Sequence, residues 1–306
     1  MVILGNHYTL LPWEEELLLK RPGVGQVISI EQYPDPDETI ARLGEVIETH
    51  RIKFVVLNLP RPASRKLITY LTRLDLKGVE FLTLERFMER FLGKCFIPDE
   101  ESALRFLQEI HHLNWFQRIQ KGVIDYLGAL LLVLLAWPVM IWAACRIRRE
   151  SLGPVFFSQN RVGRDGHLFR CMKFRSMHHD CHFDPYTQKD DDRIFDFGHF
   201  MRRARIDELP QLFNVLKGEM ALIGPRAEWD ILVGEYEEQI PYYNERHLVK
   251  PGITGWAQVN YPYGTGPEDA RQKLMYDLYY IKHWSIWLDF KIAFKTIGVV
   301  LKRKGR

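Results

Sequence analysis

The chain has 306 residues, of which 46% are apolar or aromatic and 26% are charged, and its formal net charge is +3. These values exclude disordered, collagen-like, solenoid and polytopic membrane proteins. Charge is distributed unevenly, because residues 1–117 hold 14 Lys and Arg against 17 Asp and Glu, whereas residues 118–306 hold 28 against 22. We therefore expect the second part to meet an anionic partner, such as a phosphate, a nucleotide or a lipid surface.

Neither end-processing nor disulfide formation is expected. Met1 is followed by apolar residues with no basic segment before them, and acidic residues come soon afterwards, which does not fit a cleaved signal peptide. The four cysteines form no C-x-x-C pair, and one of them lies in an apolar run. The sequence thus predicts a first domain inside the cell, in a reducing compartment.

Residues 1–112 alternate between strand-like and helical patterns. Strand-like runs occur at 27–30, 54–59 and 79–82, and helical patterns occur at 37–50, 62–75 and 84–92. This alternation predicts a small parallel α/β, Rossmann-like domain. A dinucleotide-binding loop would need G-x-G-x-x-G after a strand, whereas Gly23-Val-Gly25 precedes one. We therefore favour an accessory docking or regulatory module over a nucleotide-binding one.

The segment 113–149 contains a membrane-like stretch of 20 uncharged residues, Tyr126 to Cys145. At ~1.5 Å per residue, a helix of this length reaches ~30 Å, enough to cross the hydrocarbon core. Pro138 removes a helix hydrogen bond near the middle, so we expect a kink or break beside Trp137. Basic residues flank both ends, which favours a re-entrant helix with both ends on the cytoplasmic side. An ordinary spanning helix and a buried core helix are the alternatives.

Residues 150–306 form the part in which chemistry is expected, and its final stretch has its own pattern. Residues 284–304 mix aromatic and aliphatic side chains with five cations. Such a composition is typical of an amphipathic helix lying in the headgroup layer. A helix that packs one face on the core and solvates the other would have the same composition.

A hairpin is predicted early in this part, because Asp165-Gly166 separates two strand-like runs. The second run alternates in such a way that Lys173 and Arg175 share one face. Two cations directed to the same side suit a diphosphate, although a solvated charged face has the same pattern.

The segment from Met201 to Gly218 brings two carboxylates next to several cations. Pro210 fits the first turn of a helix and Gly218 fits its end, so Asp207 and Glu208 are expected at the helix start. Arg202 and its neighbours could hold a phosphorylated ligand, and a carboxylate beside phosphate needs a divalent cation such as Mg²⁺ to offset repulsion. Carboxylates that only cap the helix are the alternative.

Two Gly/Pro loops follow, at residues 222–226 and 250–256. Each brings backbone amides close to a cation, Arg226 in the first loop, as anion sites require. Neither loop is specific by itself.

Taken together, these strings resemble the bacterial sugar transferase family, the monotopic polyprenyl-phosphate phosphoglycosyl transferases. The resemblance rests on GPVFFSQNRVGRDGHLFRCMKFRSM from residue 153, RRARIDELPQLFNVLKGEM from 202, LIGPRAE from 222, LVKPGITGWAQVN from 248 and YDLYYIKHWSIWLDFKI from 276, together with QKGVIDYLGALLLVLLAWPV from 120. It covers roughly residues 118–300. The preceding part is similar to the cytosolic α/β domain of larger members.

The resemblance implies an enzyme that transfers sugar 1-phosphate from a UDP-sugar to undecaprenyl phosphate and releases UMP. It implies that Asp207 is the nucleophile and a ligand of the required Mg²⁺, with Glu208 as its partner. Lys173, Arg175, Arg202 and Arg226 are then the expected substrate-binding residues. Lys121, Trp137 and Pro138 are the expected lipid and membrane contacts.

The implied setting is the cytoplasmic face of the bacterial inner membrane, where the protein contacts membrane lipids. Residues 150–306 are then an α+β monotopic catalytic domain with amphipathic helices at the membrane surface. Nucleic acid is not an expected partner, and self-association into a homo-oligomer stays open. Two departures from the family pattern are Ala227 after Gly-Pro-Arg and Gly122 after Lys121. The alternative function is a membrane-attached scaffold or regulator that performs no chemistry.

Overall fold

A computed structural model describes residues 1–98, 108, 110, 113–179, 181, 191–262, 264 and 266–301. The chain divides into two compact units, Met1–Phe96 and Ile97–Arg306. The boundary predicted at residue 112 lies outside the described residues.

The first unit contains a parallel sheet with the strand order β2-β1-β3-β4. The strands are β1 (Val2–Leu4), β2 (Ile28–Ile30), β3 (Phe54–Leu57) and β4 (Glu80–Thr83). The helices are α1 (Pro12–Leu19), α2 (Pro36–His50), α3 (Arg65–Asp75) and α4 (Leu84–Phe87), which a π-helical turn at Met88–Leu92 continues. The predicted small parallel α/β fold is confirmed, and β1 and α1 are added to it.

The core of this unit lies between the sheet and the helix pair α2 and α3. Leu43 from α2 and Leu71 from α3 are buried against Val2 and Val55 of the two central strands. Asp35 and Ser64 cap these helices, since their side chains accept hydrogen bonds from the amides of Asp37 and Leu67. Local capping and apolar spacing therefore explain why this region folds as the pattern predicts.

Asn58 fills part of the crevice between the carboxyl ends of β1 and β3, where sheets of this topology bind ligands. Its amide nitrogen donates to the Tyr8 carbonyl and its amide oxygen accepts from the Tyr8 nitrogen, both at 2.8 Å. Gly5 has φ 96°, and a Cβ there would stand 2.2 Å from the Asn58 carbonyl oxygen. The crevice is thus closed by the chain itself at this point.

The second unit begins its described fold with α5 (Trp115–Glu150), a continuous helix of 36 residues. Among the described residues, it is the one helix long and apolar enough to cross a membrane by length and composition. Helical backbone continues through Pro138, so the chain does not break beside Trp137, whereas the kink expected there stays a prediction. A proline removes only one hydrogen bond, and the strongly apolar residues on both sides continue the helix.

One face of α5 is part of the protein core, while much of the rest is exposed. Ala129, Ala143 and Ile147 are fully buried, whereas Leu134 and Leu135 are 62% and 67% exposed. The helix therefore packs along the unit that follows and leaves an apolar face uncovered.

A hairpin follows α5 and provides the floor of the candidate site. The strands β5 (Phe156–Val162) and β6 (Leu168–Phe174) pair in antiparallel register, with Val162 opposite Leu168. Asp165 and Gly166 have φ 56° and 76°, the left-handed values that a tight turn requires. The hairpin predicted at Asp165-Gly166 is confirmed.

The remaining described elements are mostly short helices around a two-stranded parallel pair. They are α6 (Asp196–Ala204), a 3-10 turn at Ile206–Glu208, α7 (Gln211–Leu216), β7 (Ala221–Ile223), α8 (Asp230–Gln239), a 3-10 turn at Tyr243–Leu248, β8 (Gly252–Thr254), α9 (Trp256–Asn260), α10 (Pro267–Lys282) and α11 (Ile286–Leu301). The first half of α5 packs with β6, α7 and the β7 region, and the second half packs with α6.

The last helix, α11, is amphipathic in the way that the composition predicts. Trp287, Phe290, Phe294 and Ile297 recur every three or four residues and are 80%, 50%, 72% and 54% exposed. Ile292 on the opposite face is fully buried. One face thus packs on the unit, and an aromatic stripe faces outward.

Candidate active site

Asp207 and Glu208 lie together in the 3-10 turn between α6 and α7 and are only 8% and 7% exposed. The expectation that they start a helix is corrected, because α7 begins at Gln211, immediately after Pro210. Arg205 enters the turn with φ 58°, a left-handed conformation that reverses the chain after α6. The two carboxylates therefore have a turn of their own, held in place by the helices on both sides.

Glu208 is surrounded by three cations. Its Oε1 lies 3.1 Å from Lys173 Nζ and 3.6 Å from Arg226 Nη1, and its Oε2 lies 3.6 Å from Arg205 Nη1. Burial alone would raise the pKa of this carboxyl, but the three cations outweigh burial and lower the pKa to about 2. Glu208 is therefore ionised and fixes the positions of the cations.

Asp207 has the opposite environment. Its Oδ1 is buried and has no hydrogen-bond partner among the described residues. Burial, followed by repulsion from Glu208, raises its pKa to about 6, although Lys173, Arg202 and Arg205 oppose the shift. A buried carboxylate oxygen without a partner is uncommon, and together with a raised pKa it makes Asp207 a candidate for a functional role.

The cations around the pair exceed the carboxylates. Lys173, Arg202, Arg205 and Arg226 each interact with Asp207 or Glu208, which leaves four positive charges against two negative ones. Arg202 is oriented by a hydrogen bond from its Nε to Ser176 Oγ, at 2.9 Å. The surplus positive charge suits a phosphorylated ligand.

Arg175 does not take part in the interactions described above for Asp207 and Glu208. The residue is 5% exposed, and its guanidinium donates to the carbonyl oxygens of Pro154 and Ser151 and to Ser151 Oγ, at 2.6–2.7 Å. The strand ends at Phe174, so the alternation that would place Arg175 beside Lys173 stops one residue too early. Arg175 instead anchors the end of α5 to the hairpin.

The two Gly/Pro loops pack against each other, and two of their amides donate to backbone carbonyls. Gly224 donates to the Thr254 carbonyl at 2.9 Å, and Gly252 donates to the Pro225 carbonyl at 2.8 Å. A Cβ at Gly252 would stand 2.1 Å from the Gly224 nitrogen. These two amides are therefore not available to an anion, and the first loop places Arg226 next to Glu208.

Lys121 is buried in an ion cluster rather than presented to a lipid phosphate. Its Nζ lies 2.9 Å from Asp125 Oδ1 and 3.0 Å from Asp289 Oδ2, and its side chain is 11% exposed. Asp125 also accepts a hydrogen bond from the Leu222 amide. The cluster thus joins α5 to α11 and β7. Trp137 and Pro138, by contrast, are exposed on α5, as a membrane contact requires.

Several residues of this site escape sequence reasoning. Arg205 is one of the predicted neighbours of Arg202, but Asp289 and Asp125 were not expected as partners of Lys121, and only the i, i+4 spacing of Lys121 and Asp125 signals an ion pair. The tertiary fold alone brings Asp289 to a residue more than 160 positions earlier.

The geometry gives a buried pair of carboxylates among four cations, and the comparisons with known proteins give the family. A family model described as bacterial sugar transferase matches residues 116–303, and the chain therefore belongs to this family. It is 48% identical over 238 residues to the UDP-N-acetylgalactosamine-undecaprenyl-phosphate N-acetylgalactosaminephosphotransferase of Aeromonas hydrophila, covering 71% of this chain and 56% of that protein.

A second relative extends the match into the first unit. The UDP-glucose:undecaprenyl-phosphate glucose-1-phosphate transferase of Xanthomonas campestris pv. campestris is 38% identical over 278 residues, covering 88% of this chain and 56% of that protein. The Escherichia coli K12 protein of the same name is 41% identical over 189 residues, covering 60% and 41%. The chain thus spans about half the length of the first two relatives.

Proposed function

We propose that the protein transfers a sugar 1-phosphate from a UDP-sugar to undecaprenyl phosphate and releases UMP. Family membership and the names of the relatives support the reaction class. The observation that carries the proposal is the buried Oδ1 of Asp207, which has no hydrogen-bond partner among the described residues and belongs to a carboxylate pair that interacts with four cations. The names of the relatives include glucose, galactose and N-acetylgalactosamine. We therefore propose a UDP-sugar as the donor without choosing a particular sugar.

The chemistry consists of two displacements at the same phosphorus. Asp207 Oδ1 attacks the β-phosphorus of the donor, an O–P bond forms, and the bond to the bridging oxygen breaks, so that UMP leaves with the bonding pair. An oxygen of undecaprenyl phosphate then attacks the same phosphorus and frees Asp207. A covalent intermediate allows the soluble donor and the lipid acceptor to use one site in turn.

The surrounding residues have separate tasks in this scheme. Lys173, Arg202 and Arg226 neutralise the charge that develops on the phosphoryl oxygens. Glu208 keeps its cations in place and stays ionised, because those cations hold its pKa low. Arg175 acts at a distance, by fixing the hairpin end that carries Lys173.

The residues present fit a divalent cation of the Mg²⁺ type. Asp207 has an oxygen without a protein partner among the described residues, and Glu208 in the same turn provides a second carboxylate. Mg²⁺ is ordinarily held by one or two carboxylates and completed by substrate oxygens and water. Asp207 would hold it, and the bound ion would neutralise phosphate charge.

The proposed setting is the cytoplasmic face of the inner membrane, with α5 as a re-entrant helix that bends at Pro138 in the membrane, and with α11 in the headgroup layer. Basic residues at both ends of α5 and the exposed aromatic stripe of α11 support this monotopic arrangement. Residues 1–112 would be a cytosolic accessory module, residues 113–149 the membrane-associated segment, and residues 150–306 the catalytic part.

The reaction is tested by incubating the protein with a panel of UDP-sugars, Mg²⁺ and undecaprenyl phosphate and measuring UMP. Radiolabelled donor given without acceptor should label the peptide that contains Asp207, and Asp207→Asn should lose both label and turnover. If no donor yields UMP, a scaffold or regulator without chemistry would be favoured instead. Label on a different peptide would move the nucleophile elsewhere.

The topology is tested with single cysteines placed before Arg118 and after Arg149, in a variant whose four native cysteines are replaced by Ser. All four are free, and Cys145 is exposed on α5, so they must be removed first. An impermeant thiol reagent should label both positions only from the cytoplasmic side. Labelling from opposite sides would establish a spanning helix.

A further inference from the structure

A buried ion pair behind the candidate site contacts the backbone of Arg226. Arg246 lies in the 3-10 turn Tyr243–Leu248 and is 4% exposed, and Asp277 lies in α10 and is 1% exposed. Arg246 Nη2 donates to Asp277 Oδ2 at 2.8 Å and also to the carbonyl oxygen of Arg226 at 2.9 Å. One nitrogen thus joins α10 to the loop that carries a cation of the site.

The loop around Arg226 is held on its other side by backbone pairing. Arg226 forms a parallel bridge with Gly252, and the Gly252 amide donates to the Pro225 carbonyl. The Arg226 backbone is therefore fixed from two directions, while its side chain, 37% exposed, extends to Glu208. A side chain that is partly open to solvent depends on its backbone for its position.

Stability alone gives a weak reason for a buried ion pair at this place. Removing two charges from water is unfavourable, and apolar replacements of buried ion pairs are often as stable or more stable. Asp277 Oδ1 has no hydrogen-bond partner among the described residues, so the pair is not even fully satisfied. What the pair does provide is a directed, charge-assisted contact to one carbonyl oxygen of the site.

We propose that Arg246 and Asp277 are positioning residues, which fix the side chain of Arg226 at the phosphate-binding site through its backbone carbonyl. This inference rests on the proposed transferase function and adds to it two residues that touch no reacting atom. Asp277 orients Arg246, Arg246 holds the Arg226 carbonyl, and Arg226 neutralises phosphoryl charge. Displacement of the last group by a fraction of an ångström should lower the rate.

A double-mutant cycle with Arg226→Ala separates positioning from general support of the fold. Alanine at this position keeps the backbone carbonyl that Arg246 contacts but removes the side chain whose placement matters. Asp277→Asn should lower kcat/KM for the UDP-sugar about tenfold in the otherwise native protein, and less than about twofold in the Arg226→Ala background. A structural role would give the same loss in both backgrounds, and that result would overturn the inference.

A second variant and a matched control complete the experiment. Arg246→Lys keeps the charge, but a single ammonium cannot reproduce the planar fork, so it should show the same background dependence even if Asp277→Asn folds poorly. Asp191→Asn breaks another buried Arg–Asp pair, with Arg193, and its effect should be equal in both backgrounds. A background-dependent loss in this control would overturn the inference as well.

All variants are first compared with the wild type for thermal unfolding and elution as a single species. Absence of UMP release from the wild-type protein with every donor would overturn the proposed function, and this inference with it. An active wild type with additive losses would overturn the inference alone.

Discussion

Replacement of the proposed nucleophile should make the protein more stable, which is the reverse of the usual effect of a mutation at a buried site. In the folded chain Asp207 has a pKa of about 6, against 3.8 for an unperturbed aspartate. Above pH 6 the group is ionised in both the folded and the unfolded chain. Because the pKa is about two units higher in the folded chain, the ionised form destabilises the fold by ~3 kcal/mol. Below about pH 4 it is largely protonated in both states, and the cost disappears.

Asp207→Asn has nearly the same shape and is neutral at every pH. We therefore expect its free energy of unfolding to exceed that of the wild type by up to ~3 kcal/mol at pH 7.5, with the difference shrinking toward zero as the pH falls from 6 to 4. Thermal unfolding in detergent with EDTA, followed by intrinsic tryptophan fluorescence across this pH range, measures the effect. A stabilisation of this kind is common where function requires an unfavourable group.

Glu208→Gln is the matched control, and the sign of its effect is opposite. The cations lower the pKa of Glu208 from 4.5 to about 2, so its ionised form stabilises the fold at all pH values above 4.5 and loses this effect only as the pH falls toward 2. The Gln variant should therefore be less stable than the wild type at both pH 7.5 and pH 5. An Asn variant at position 207 that is less stable than the wild type at pH 7.5, or whose gain does not fall on acidification, would refute the reasoning.

Three further predictions concern the metal, the ion cluster and the loop packing. Mg²⁺ should raise the unfolding temperature of the wild type but not of Asp207→Asn, and an equal rise in both would place the ion elsewhere. Lys121→Met leaves two buried carboxylates without their cation and should lower the free energy of unfolding by about 3–5 kcal/mol, measured by thermal unfolding. Arg164→Ala, at an exposed pair, should change it by less than about 1 kcal/mol, and equal effects would contradict the argument from burial. Gly252→Ala should lower both UMP release and stability because its Cβ meets the backbone at 2.1 Å, whereas Gly234→Ala, with open space around it, should retain activity; an active, stable Gly252→Ala protein would show that the loop can move apart.

The parts of the fold that follow from short-range pattern were predictable. Asp165 and Gly166 are residue types that favour the left-handed conformation of the hairpin turn. The helices α2 and α3 have their capping residues and apolar spacing within a few positions of each other. The helix α1 was missed because its pattern is not amphipathic. Glu14 within it is fully buried against Lys94, a residue 80 positions away, and no local signal indicates this pairing.

The candidate site divides in the same way. Asp207 and Glu208 are adjacent in sequence, and their proximity to Arg202 and Arg205 is a matter of one turn. The position of Arg175 depends instead on where the strand β6 ends, and that of Lys121 depends on its pairing with the distant Asp289. The expectations for these two residues therefore required revision. Local charge patterns identify ionisable residues, whereas the tertiary fold decides which of them face a ligand and which are consumed in holding elements together.

The helix α5 has a further consequence for any attempt to obtain the catalytic part in isolation. Its residues Ala129, Ala143 and Ile147 have no exposed surface, and Asp125 receives the amide of Leu222, four positions before Arg226. A fragment that begins at residue 150 would therefore lose the apolar face against which the hairpin and α7 pack. The Leu222 amide, in the strand that leads to Arg226, would lose Asp125 as its hydrogen-bond acceptor. Because α5 shares its core with the rest of the second unit, solubility is better sought by replacing exposed apolar residues of this helix with polar ones than by deleting the helix.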